Sequence, residues 1–143
     1  MPLLFDPVYI VLLVVTLGIT GWAAWRVRST YAKWSKVDSG LNVDAFDFAR
    51  RLLDRQNLAN VRIEPTPGQL TDHYDPRGKV LRVSTQVADA SALETRGLAA
   101  NGPRLSVAAA AVIAHEVGHA VQDAQGDTAM KLRMLIVPAA QFG

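Results

Sequence analysis

From Val8 to Trp25 the chain carries no charged side chain, and Thr16 and Thr20 are its only clearly polar residues. No other stretch restricts the fold as much. In hydrocarbon, every backbone N–H and C=O must find its partner within the protein, so a lone spanning segment has to be an α-helix. About 20 apolar residues cross a bilayer core, and this run is long enough. Trp22 and Trp25 fall where an interfacial aromatic belt is expected. A cleaved signal peptide would want positive charge ahead of the apolar run. Here the leading residues supply only Asp6 and the terminal amine. A buried helix of a soluble core is the other alternative, and the length of the run argues against it.

The flanks set an orientation. Arg26, Arg28, Lys33 and Lys36 follow the span, no acidic residue intervenes before Asp38, and no Lys or Arg precedes it. The positive-inside rule then puts the amino end outside and the remainder in the cytoplasm. The same basic stretch either lies on anionic membrane lipid, at about 1 kcal/mol per nearby charge, or serves as a solvated linker. The expected divisions are a short segment at 1–7, a transmembrane helix at 8–26, a basic juxtamembrane linker at 27–41 and one small domain at 42–143. A net charge of +2, with no basic–aromatic pattern, gives no reason to expect nucleic acid as a partner. With no cysteine, thiolate metal sites are excluded, and any metal must take His and carboxylate ligands.

Beyond Ser39-Gly40 a helix is expected, with Asn42 as N-cap and Asp44 in the first turn. Phe46, Ala49, Leu52 and Leu53 form its apolar face, while Arg50, Arg51, Asp54 and Arg55 lie mainly outward. Asn57 and Asn60 bracket its end. Val61 to Glu64 alternates as a half-buried strand does, and Pro65-Thr-Pro-Gly68 reads as the turn that ends it. Lys79 to Ser84 is a second strand after the turn Asp75-Pro-Arg-Gly78. Thr85 to Gly102 is a loop or short helix. The fold class is α+β, with the apolar helix leading.

Chemistry concentrates in His115-Glu-Val-Gly-His119. The Ala-rich, Pro-free stretch from Ser106 to Gln125 is a helix. Asn101 and Pro103 mark its start, and Gly126 stands where an αL residue would end it. A residue step is about 100°, so His115 and His119 share a face about 6 Å apart. Two imidazoles so placed can both reach one Zn²⁺. Glu116 lies beside them, able to take a proton from a water that the ion polarises. Gly118 in mid-helix costs about 1 kcal/mol relative to Ala, which anticipates close approach of a substrate backbone or of another helix. The alternative, two ordinary helix-face histidines, is opposed by the rarity of a chance match and by the helix signals around the motif.

His115-Glu-Val-Gly-His-Ala-Val-Gln122 resembles the core of the bacterial membrane-anchored neutral zinc metallopeptidases, a zincin-type family. Phe5-Asp-Pro, Val27-Arg-Ser-Thr-Tyr, Trp34-Ser-Lys-Val37, Ala49-Arg-Arg-Leu-Leu-Asp54 and Leu70-Thr-Asp-His-Tyr-Asp-Pro76 extend the likeness over almost the whole chain. The resemblance implies a zincin-like domain at 42–143, with a small β-sheet over the metal helix and an edge strand that holds an extended polypeptide substrate. It implies Zn²⁺ on His115 and His119, Glu116 as general base, and a place in the bacterial plasma membrane. By analogy, Tyr74 invites an oxyanion role, with a packing role as the alternative.

A catalytic zinc takes three protein ligands and keeps one open position. The long metzincin pattern is excluded, because Gln122 and Gln125 stand where its Gly and third His belong. Relatives resemble the scheme in which a Glu on a later helix completes the set, beyond further membrane helices. On that reading the third ligand lies past Gly143 and the chain is a fragment. Within the chain the candidates are Asp123, one turn beyond His119, then His73, then Asp127. As a purely structural residue, His73 would bond Asp72 or Asp75. Two readings follow: a membrane-anchored zinc endopeptidase, or a catalytically silent membrane protein that binds zinc or a partner.

Overall fold

A computed structural model describes residues 6–93, 104–128 and 132, with the side chains of 90–93 left aside. The chain divides into two compact units, Met1–Trp34 and Ser35–Gly143. Asn101, Pro103 and residues 133–143 lie outside the described residues.

The first unit contains one helix, α1 (Pro7–Trp34), opened by Asp6, whose side chain accepts the Val8 N–H at 2.9 Å. It takes in the whole uncharged run, with a mean hydropathy of 2.0 over its most apolar window, and is long and apolar enough to cross a membrane. Thr16 and Thr20 turn their hydroxyls back onto the Leu12 and Thr16 carbonyls at 2.7 and 2.8 Å. That is how a hydroxyl in an apolar helix satisfies itself. The helix continues through Arg28 and Lys33, so the first part of the basic segment is helical.

The second unit begins with a stretch bonded to the approach to the histidine-bearing helix. Ser39 N–H donates to Leu105 C=O, Leu105 N–H to Leu41 C=O, and Val107 N–H to Val37 C=O, while Arg104 pairs with Asp38. Next comes α2 (Ala45–Arg55). Its N-cap is Asp44 rather than Asn42: the carboxylate accepts the Asp47 N–H at 2.7 Å. Asn57, at φ 58°, ends it in a Schellman motif, with Leu58 N–H on Leu53 C=O and Asn57 N–H on Asp54 C=O. Ala45, Ala49 and Leu53 are buried. Arg50 is not simply outward. Its guanidinium donates to the Val61 and Leu58 carbonyls and to Asp54, fastening α2 to the strand that follows.

Three strands form a mixed sheet in the order β1-β3-β2, with β1 (Arg62–Thr66) parallel to β3 (Val80–Ser84) and β2 (His73–Asp75) antiparallel to it. The first strand does not stop at Pro65 but pairs through it, Pro65 opposite Val83. It survives because β1 is an edge strand, where a residue lacking an N–H can be tolerated. Central β3 is buried on both faces, with Val80, Leu81, Val83 and Ser84 at most 1% exposed. Asp72 grips Ser84 from the other side, accepting its N–H at 2.7 Å and its hydroxyl at 2.8 Å. That hydroxyl accepts the Val87 N–H in the first turn of α3 (Thr85–Leu93).

The helix that carries His115, Glu116 and His119 is α4 (Val107–Ala124). Ser106 caps its start by accepting the Ala109 N–H, and Gly126, at φ 71°, ends it with a second Schellman motif. Ala108, Ala109, Ile113, Val117 and Ala120 are buried, and the helix meets α2, α3, β2 and β3. Small buried side chains let α4 lie close to its neighbours.

Replacing Asp72 with Ala strands the fully buried Ser84 hydroxyl and N–H, and is expected to cost about 1–3 kcal/mol by denaturant midpoint. The turn after β2 yields a pH test. Burial raises the Asp75 carboxyl, but the Gly78 and Arg77 N–H groups and the Arg82 guanidinium outweigh it and hold the group below its ordinary value. A depressed carboxylate stabilises the fold above its unfolded pKa, and that contribution is lost as pH falls through the folded value. Asp75→Asn should therefore lower stability by less than about 1 kcal/mol at pH 7, with the difference shrinking from about pH 4 downward and vanishing only once pH is below the folded value.

Candidate metal centre

Helical periodicity does the first part of the assembly. His115 and His119 stand one turn apart on α4, their ring centroids 4.7 Å from each other and their planes at 79°. The ligand atoms of His115, Glu116 and His119 all lie within 4.8 Å of one another. This donor set of two imidazoles and a carboxylate, with no thiolate, suits Zn²⁺. Among the described residues no further His or acid joins the three.

Hydrogen bonds orient two of the three side chains. His119 Nδ1 is 3.0 Å from Gln122 Oε1. In the tautomer that carries its proton on Nδ1, that atom donates to Gln122 and puts the lone pair on Nε2, as a metal requires. Glu116 Oε2 accepts the backbone N–H of Tyr74, on the free edge of β2, at 3.0 Å. Glu116 is thus held against the strand while it borders the histidines. Cavities flank the pair on two sides. One of about 470 Å³ is lined by Gly118, His119, Gln122 and Gln56, and one of about 320 Å³ by Glu116, Leu70, Ala111 and Val112. His115 borders both. A Cβ on Gly118 would meet no described atom within 4 Å, so among the described residues no neighbouring helix packs against the glycine, which faces open space.

The other candidates fall elsewhere. Asp123 accepts from the Tyr74 hydroxyl at 2.7 Å and from the Lys79 ammonium, so its carboxylate is committed to β2 and to the turn after it. His73 is exposed and outside the cluster. Its partners are not Asp72 or Asp75: Nδ1 lies 2.8 Å from the Thr71 carbonyl, and Nε2 is 3.3 Å from Arg82. Asp127 is likewise outside the cluster. The Tyr74 hydroxyl is directed to Asp123, two turns beyond Glu116, which favours the packing alternative over an oxyanion role. Burial, and then the neighbouring Asp123 carboxylate, raise its pKa well above the usual phenol value, so the hydroxyl remains a donor. Two participants escaped the sequence reading. Gln122 was detectable as an amide one turn past a histidine, whereas the Tyr74 backbone amide leaves no sequence signal.

Comparison with known proteins agrees with this geometry. Residues 9–143 match the family described as "Putative neutral zinc metallopeptidase". A curated relative, "Putative membrane protease YugP" of Bacillus subtilis (strain 168), is 37% identical over 134 residues, which is 94% of this chain and 53% of the relative. The chain therefore spans about half the length of the curated relative it matches. No solved structure matches. With the motif, the helix that carries it and near-complete coverage in agreement, the chain belongs to the neutral zinc metallopeptidase family.

Proposed function

We propose that this chain acts in a membrane-anchored, zinc-dependent endopeptidase, with His115 and His119 as metal ligands and Glu116 as general base. The convergence of these three side chains beside the free edge of a strand carries the reading. Zinc, when bound, supplies Lewis acidity to the attacking water and to the scissile carbonyl. The protein's own groups do the remainder. An edge strand of the sheet would hold an extended polypeptide by strand addition. Glu116 accepts the proton of the attacking water on a carboxylate oxygen and returns it to the leaving nitrogen. Gln122 keeps His119 in the metal-binding tautomer.

Residues 8–26 form the anchor in this proposal, in the bacterial plasma membrane, and the basic stretch from Arg26 to Lys36, itself lying on anionic lipid, favours a cytoplasmic side for the 42–143 domain. A second reading has one observation in its favour: among the described residues, no His or acid besides Glu116, the proposed base, joins the histidines. On that reading the chain binds zinc or a partner without turnover.

The peptidase reading predicts that His115→Ala or His119→Ala loses stoichiometric zinc, and so does the zinc-binding form of the second reading. They part at Glu116. Substitution by Gln should leave zinc content near that of the wild type and lower peptide hydrolysis by at least about 10²–10⁴-fold. Equal cleavage by the Gln variant overturns the general-base assignment, and a zinc-loaded wild type that cleaves nothing supports the silent reading.

A further inference from the structure

Tyr74 touches α4 twice. Its backbone N–H donates to Glu116 Oε2 at 3.0 Å, and its hydroxyl donates to Asp123 Oδ2 at 2.7 Å. At about 100° per residue, Glu116 and Asp123 fall within about 20° of the same helix face, two turns apart. One residue of an edge strand is therefore fixed to α4 at both ends, and it is only 8% exposed. The far end is reinforced. Lys79 also donates to Asp123 Oδ2, and it does so from a left-handed backbone conformation at φ 50°. A non-glycine residue there costs about 1–2 kcal/mol and persists where surrounding contacts hold it. The turn that presents Lys79 is itself fastened by Asp75, which accepts the Arg77 and Gly78 N–H groups.

From this arrangement we infer that Tyr74, Asp123 and Lys79 form a positioning strut that sets the orientation of the Glu116 carboxylate. The inference rests on the proposed general-base role of Glu116 but assigns a separate task. Asp123 serves as an anchor rather than a ligand, and the Tyr74 side chain acts through its own backbone amide. Loosening the distal contact lets β2 shift along α4, and the amide at position 74 then no longer meets Glu116. Neither Asp123 nor Lys79 needs to touch substrate.

Hydrogen exchange on the full-length, zinc-loaded protein reads the strut without turnover. The amide at position 74 should be protected in the wild type and exchange at least about tenfold faster in Glu116→Ala, which removes its acceptor. Tyr74→Phe and Lys79→Met leave that acceptor in place, yet should also speed exchange at this amide by about tenfold while global unfolding midpoints change little. In peptide hydrolysis the same two variants should lower kcat by about tenfold, with KM and zinc stoichiometry held. Unchanged exchange at position 74 in both variants overturns the strut, whether or not peptide is cleaved. So does loss of kcat only in proportion to loss of zinc or of folded protein. If exchange quickens as expected but a zinc-loaded wild type cleaves nothing, the strut stands as structure and the peptidase reading falls.

Discussion

An unpaired donor on a strand edge meets a carboxylate on a helix, and the site is built around that contact. Strand β2 has β3 on one side only, so its outer N–H groups need partners. Glu116 supplies one for Tyr74. A single hydrogen bond thus satisfies the sheet edge and orients the side chain on which the proposed chemistry turns. It also brings together elements far apart in the chain, which only the assembled sheet can do.

The rest of the second unit serves to keep α4 beside that edge. Local chemistry sets the length of the helix, with Ser106 at one end and Gly126 at the other. Its alanines at 108, 109 and 120 are buried, so backbone approach rather than bulky interdigitation brings it to its neighbours. Leu53 and Ile113, almost wholly buried, supply apolar area around it. Ahead of the helix, the bonds between 37–41 and 105–107 fix the path by which the chain arrives.

Signals confined to one element were legible in the sequence. The uncharged run, the histidine spacing, the helix over Ser106 to Gln125 and its end at Gly126 are all local, and each was found as expected, whereas Ser106 as the cap was not singled out. Pairings across the chain were not. Strand β2 has three residues, too few for periodicity to register, and exists because β3 is there to receive it. Asp123 was a natural ligand candidate because helical spacing predicts a face, whereas its true partners, Tyr74 and Lys79, arrive from the sheet. Asn42 and Asp44 are both competent caps, and only the path of the chain selects the second. Pro65 looked like a strand terminator and is not, since the tolerance depends on β1 lying at an edge.

The central claim is that one zinc ion is held by the two imidazoles of α4. X-ray absorption at the zinc edge, on the full-length metal-loaded protein, addresses it most directly. Two imidazole nitrogens at about 2.0–2.1 Å are predicted, with one of them lost in His119→Ala. A coordination shell without imidazole, or one left unaltered by that substitution, would contradict the account.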